Sequence, residues 1–99
     1  MHGDLISAHE VRLLLVFRGN ADRWFDNAQV AEAAKISPRT ARLHTSRLVE
    51  LGVLNVERVF PASKFRLART PSQAGKAYLE RWEKAREALG LGSVAEATP

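Results

Sequence analysis

The sequence predicts a mainly α-helical fold with one small β-hairpin, in the order helix, short strand, helix, helix, strand, strand, helix. Three observations predict it. Ser7, Asp26 or Asn27, Ser37 and Thr70 stand as N-cap residues ahead of segments whose apolar residues recur at helical spacing. Gly19, Gly52 and Gly90 follow such segments as stop signals. Residues 53–69 are instead rich in β-branched and aromatic side chains around the break Pro61, Ala62, Ser63.

Taken in order, Ser7 with Glu10 has capping-box spacing, and Val11, Leu14, Leu15 and Val16 follow it, so a first helix is expected over about residues 8–18. Trp24 and Phe25 suit a short strand lying against the later hairpin. Asp26 or Asn27 caps the second helix, with Gln29 at its third position if Asp26 is the cap. Val30, Ala31 and Ala34 give that helix a small-residue face for close packing. Ile36 fills the turn, Ser37 caps the third helix, and Pro38 sits at a position where no amide bond is lost; this helix runs to about residue 51. Residues 53–60 and 64–69 make a hairpin with a basic tip. Thr70, Pro71 and Gln73 repeat the capping pattern of Ser37 and open a last helix ending near Gly90. The expected organisation is a domain over 1–70, a C-terminal helix over 71–90 and a disordered tail over 91–99.

With 99 residues and 45% hydrophobic content the chain can form one small core, which argues against wholesale disorder. Its net charge of +4 is unevenly spread. Residues 35–69 hold eight Lys and Arg against two Glu, a net of +6, which leaves −2 for the rest. That asymmetry suits a polyanionic partner, because each neutralised phosphate releases counterions. With no cysteine there are no disulfides, thiolate metal sites or thiol nucleophiles. No export signal or membrane span is read, so a cytoplasmic location and no membrane partner are expected.

Within the frame SPRTARLHTSRLVELGVL, Ser37, Thr40, His44, Leu48, Gly52, Val53 and Leu54 form a pattern that resembles the winged helix-turn-helix family, in particular MarR-like and ArsR-like bacterial regulators. The resemblance covers roughly residues 8–69 and implies that the third helix enters a DNA major groove while the hairpin serves as the wing. The helix reads the same way from its own periodicity. Ala41, Thr45, Leu48 and Gly52 share one side, and Arg39, Arg42, Leu43 and Ser46 share the other. The second set is the expected base-reading face, with the paired guanidinium donors of Arg42 first for a guanine edge and Arg39 second. Ser37, Thr40, His44 and Arg47 are expected on the DNA backbone, and Arg58, Lys64, Arg66 and Arg69 are the expected wing contacts.

Two residues depart from the resembling pattern. Leu43 stands where those proteins usually carry a polar residue, and Thr45 where they usually carry an apolar one. Either Leu43 meets a thymine methyl, or the helix is rotated to bury it and the reading face shifts by one position.

In the last helix Ala74, Tyr78, Trp82, Ala85 and Leu89 form one stripe. Tyr78, Trp82, Ala85 and Leu89 are read as a homodimer seam, with packing on the chain's own core as the alternative. His44 has no second histidine or cysteine at ligand spacing, and neither do His2 and His9, so no metal or other cofactor is expected. The chain lacks the extra helices of MarR-like proteins and the cysteine metal motif of many ArsR-like sensors, so a small-molecule effector is not expected. No nucleophile, metal set or phosphate-binding glycine loop accompanies Asp22, Asp26 or Glu32, and no enzyme is expected. The leading expectation is a sequence-specific double-stranded DNA-binding transcriptional regulator, a repressor acting by promoter occlusion. The alternatives are an architectural or replication-associated DNA binder, or a protein-interaction module using Trp24, Phe25, Tyr78 and Trp82.

Overall fold

The computed structural model describes residues 6–91, so His2 and all but the first residue of the expected tail over 91–99 lie outside the described residues. The fold has four helices, α1 (Ala8–Arg18), α2 (Asn27–Ala34), α3 (Pro38–Glu50) and α4 (Gln73–Leu89), and a small sheet of β1 (Phe25–Asp26), β2 (Leu54–Glu57) and β3 (Lys64–Leu67). The predicted order of elements is the observed one.

Local chemistry accounts for the helix starts. Ser7 Oγ accepts from the Glu10 amide at 3.2 Å, but the Glu10 carboxylate does not return to close a capping box. It is buried and turned towards α4, where it accepts from the Tyr78 hydroxyl. Asp26 is the cap of α2, and with Gln29 it forms the reciprocal pair at 2.8 and 2.9 Å. Lys35 ends α2 in the left-handed region at φ 62°, which swings the chain into α3 around half-buried Ile36. Ser37 caps α3 with Pro38 in its first turn, as expected. Gly52, at φ +80°, turns the chain out of α3; a Cβ there would lie 2.3 Å from Ser72 Oγ.

Two boundaries differ from expectation. Ser72, not Thr70, caps α4: its hydroxyl accepts from the Gly75 amide at 3.1 Å and donates to the Leu51 carbonyl at 3.0 Å. The second bond is tertiary, so local spacing alone favoured the earlier start. The hairpin strands are also shorter than residues 53–60 and 64–69, because pairing stops at Glu57↔Lys64 and residues 58–63 form an open tip.

The sheet order is β1-β3-β2, antiparallel throughout, with Phe25↔Phe65 and Val56↔Phe65 in register. The short strand expected at Trp24 and Phe25 does pair with β3, but it is displaced by one residue: Phe25 and Asp26 make the ladder and Trp24 lies just before it. Phe25 meets Phe17 edge to face at 5.4 Å between centroids. Around that pair Val11, Leu13, Leu14, Val30, Leu48 and Val53 are fully buried. Helix α4 lies on α1, burying Tyr78 and Trp82, whose indole Nε1 donates to the Val11 carbonyl at 3.4 Å. This packing removes Tyr78 and Trp82 from the expected dimer seam, because both rings are spent on the chain's own core. Of that stripe Ala85 is half-buried and Leu89 is exposed.

Candidate nucleic-acid interface

Helix α3 buries Ala41, Thr45 and Leu48 and exposes Arg39, Arg42, Leu43, Ser46 and Arg47. Leu43 is 69% exposed, so the helix is not rotated to bury it and the outward face is the one that periodicity predicts. Thr45 occupies an apolar position without an unmet hydroxyl. It donates to Asn27 Oδ1 at 2.8 Å and lies 3.2 Å from the Arg42 carbonyl, which ties α3 to the start of α2.

An open cleft of about 440 Å³ runs beside this face. It is lined by Pro38, Arg42 and Ser46 of α3, by Asp26, Asn27 and Ala28 at the start of α2, and by Arg58, Pro61, Ala62, Ser63 and Phe65 of the hairpin. Two guanidinium groups thus line one groove from different elements. At the N-terminus of α3, Ser37 Oγ accepts from the Thr40 amide at 3.0 Å and donates to Thr40 Oγ1 at 2.9 Å, so the hydroxyls cluster where the helix dipole favours an anion.

Three expected contacts are redirected. The His44 side chain is only 15% exposed, with Nδ1 buried and 3.4 Å from Glu10 Oε1 but without hydrogen-bond geometry. The ring therefore packs inward rather than standing free beside the exposed face of α3. On the far side of Glu10, burial first and the hydrogen bond to the carboxylate second push the Tyr78 phenol well above its ordinary value. Arg66 lies back over Trp24, its Cζ 4.5 Å from the ring centroid, with Nε buried and without a hydrogen-bond partner. Arg69 Nη2 stands 3.5 Å from Asp22 Oδ1, both groups largely exposed, and a pair of that kind is worth little in water. Arg58 and Lys64 remain outward on the hairpin.

The expected interaction aromatics are also turned inward: Phe25, Tyr78 and Trp82 are buried, and half-buried Trp24 lies under Arg66. Sequence reasoning missed Phe60, which it placed inside a strand. The ring is 98% exposed at the hairpin tip. Its position immediately before Pro61 was the available signal, since proline ends ladder pairing. Among the described residues, no group of three His, Cys, Asp or Glu side chains is placed to hold a metal ion, and no helix is long and apolar enough to cross a membrane.

No protein-family model matches the chain, and no curated protein matches it. Solved structures do. YusO from Bacillus subtilis superposes with a TM-score of 0.61 at 14% identity, covering 91% of this chain and 62% of that one. A mutant of Lactococcus lactis ZitR in complex with DNA superposes with a TM-score of 0.54 at 19% identity, covering 87% and 59%. The third is a homodimeric winged helix-turn-helix DNA-binding domain of Mb0332 from Mycobacterium bovis, described as a possible ArsR-family transcriptional regulator. It superposes with a TM-score of 0.55 at 15% identity, covering 90% and 74%. The chain spans about three fifths of the length of the ZitR and YusO chains. With α2 and α3 as its helix pair and the β2–β3 hairpin as its wing, the protein has the winged helix-turn-helix fold.

Proposed function

We propose that this protein is a sequence-specific double-stranded DNA-binding transcriptional regulator that acts in the cytoplasm as a repressor, by occluding a promoter. The observation that carries this reading is the cleft lined by both Arg42 of α3 and Arg58 of the wing, beside an α3 surface of exposed Arg39, Leu43 and Ser46. Arg42 reads a guanine edge and Arg39 supports it, while Leu43 meets a thymine methyl. Ser37, Thr40 and Arg47 hold phosphates and fix the register. The DNA-bound ZitR neighbour supports the partner, and the homodimeric Mb0332 domain supports a two-fold assembly. One recognition helix buries little surface, and a second copy doubles the site. With Tyr78 and Trp82 committed to the core, the outer surface of α4 around Leu89 is left for that assembly.

The test is an anisotropy titration of the DNA immediately upstream of the protein's own gene beside random duplex of equal length, for wild type and Arg42→Ala. Preference for the upstream duplex, two chains per duplex, and a loss of about 1–3 kcal/mol of that preference in Arg42→Ala are expected. Equal binding to both duplexes would instead favour an architectural role, and binding to neither would remove DNA as the partner.

A further inference from the structure

Four large apolar side chains stand exposed among the described residues: Leu43, Val59, Phe60 and Leu89. Two of them are adjacent on the wing tip. Phe60 is 98% and Val59 39% exposed, and they lie between exposed Arg58 and exposed Lys64. An unburied phenylalanine contributes nothing to the core, and an apolar knob framed by cations is a poor surface for an apolar protein partner. Basic residues around an apolar tip suit a polyanion with an apolar interior, and stacked base pairs inside a phosphate backbone are such a target. The tip is also continuous with the cleft, since Arg58, Pro61, Ala62 and Ser63 line it together with Arg42.

We propose that Phe60 is an apolar wedge that enters the minor groove at a pyrimidine–purine step and bends the duplex, while α3 occupies the neighbouring major groove. This rests on the DNA-binding reading above and assigns to the wing a role that its charges alone do not supply. Phenylalanine and proline are among the side chains that part base steps, and pyrimidine–purine steps unstack most readily. Arg58 and Lys64 hold the two flanking phosphates, so the wedge is positioned from both sides. Bending towards the major groove then opens the minor groove around the wing tip, and part of the sequence preference comes from deformability at a step that no hydrogen bond reads.

The experiment uses duplexes selected by the wild-type chain from a random pool, labelled at both ends for energy transfer and carrying 2-aminopurine at a pyrimidine–purine step. Wild type is expected to shorten the end-to-end distance and to raise 2-aminopurine emission. Phe60→Ala is expected to bind about tenfold more weakly and to lose both signals, and Phe60→Trp to restore them. Arg42→Ala should weaken binding while the remaining complex still bends. Circular dichroism of Phe60→Ala should match wild type, because the ring touches no core. If Phe60→Ala bends DNA as wild type does, the wedge is wrong and the DNA-binding reading stands. If wild type selects and binds no duplex, both fail. Capture by vesicles of anionic phospholipid that depends on Phe60, with DNA binding unchanged by the substitution, would overturn the wedge in favour of a membrane surface.

Discussion

The Glu10 carboxylate is buried between three helices. It accepts from Tyr78 on α4 and faces His44 on α3, so one side chain of α1 links two elements distant in sequence. Spacing could not reveal this, since both partners come from the tertiary fold, and the same periodicity that placed Tyr78 on a stripe fits a dimer seam and a core equally well. Tyr78→Phe removes the donor and leaves Glu10 short of a partner, so urea unfolding should show a loss of about 1–3 kcal/mol. The pH dependence has a definite sign. The folded state keeps the phenol protonated above the ordinary value of 10.0, so from that pH upward it holds a proton that the unfolded chain has released. Stability from this group is complete below pH 10.0 and falls as pH rises beyond it. Tyr78 is the only tyrosine in the chain, so phenolate absorbance follows it without interference. A native protein whose phenol titrates at the ordinary value would remove this account.

At the scale of elements, the helix starts were largely readable because caps are local chemistry, and Asp26 with Gln29 and Ser37 with Pro38 behave as their spacing requires. The start of α4 was not. Thr70 and Pro71 match the same pattern, yet Ser72 prevails because its hydroxyl also reaches Leu51 at the end of α3. The close approach of these elements fixes the choice. Gly75 packs so tightly there that a Cβ would lie 3.0 Å from the Leu51 carbonyl. Ser72→Ala should therefore lower stability by about 1 kcal/mol, whereas Thr70→Ala should change it by less than about 0.5 kcal/mol. Thermal and urea unfolding of the two variants side by side decides between the caps, and the reverse ranking would restore the earlier start. The shortened strands have a similar origin: β-propensity ran on to Phe60, but pairing ended at Glu57, which freed the tip that sequence reasoning had assigned to the ladder.

Across the whole molecule the basic asymmetry was legible by counting, but which cations face a partner was not, because that depends on what each folds against. Arg39, Arg42, Arg47, Arg58 and Lys64 are exposed around α3 and the wing, while Arg66 is drawn onto Trp24. In the proposed complex with DNA, these positions should separate in the salt dependence of binding. Each phosphate contact contributes a little under one unit to the slope of log K against log salt. Loss of Arg47 or Arg58 should therefore flatten the slope by about one unit for each chain that contacts the duplex. Arg42→Ala should act chiefly on discrimination between duplexes, because its donors are assigned to a base edge. Arg66→Ala should leave the slope unchanged and act on the fold instead, by about 0.5–2 kcal/mol, as Trp24 loses the cation over its face. Titrations at several salt concentrations, with thermal unfolding of the same proteins, check both halves. If Arg66→Ala flattens the slope as Arg58→Ala does, the guanidinium leaves Trp24 when DNA arrives, and the wing binds by rearranging rather than as a preformed surface.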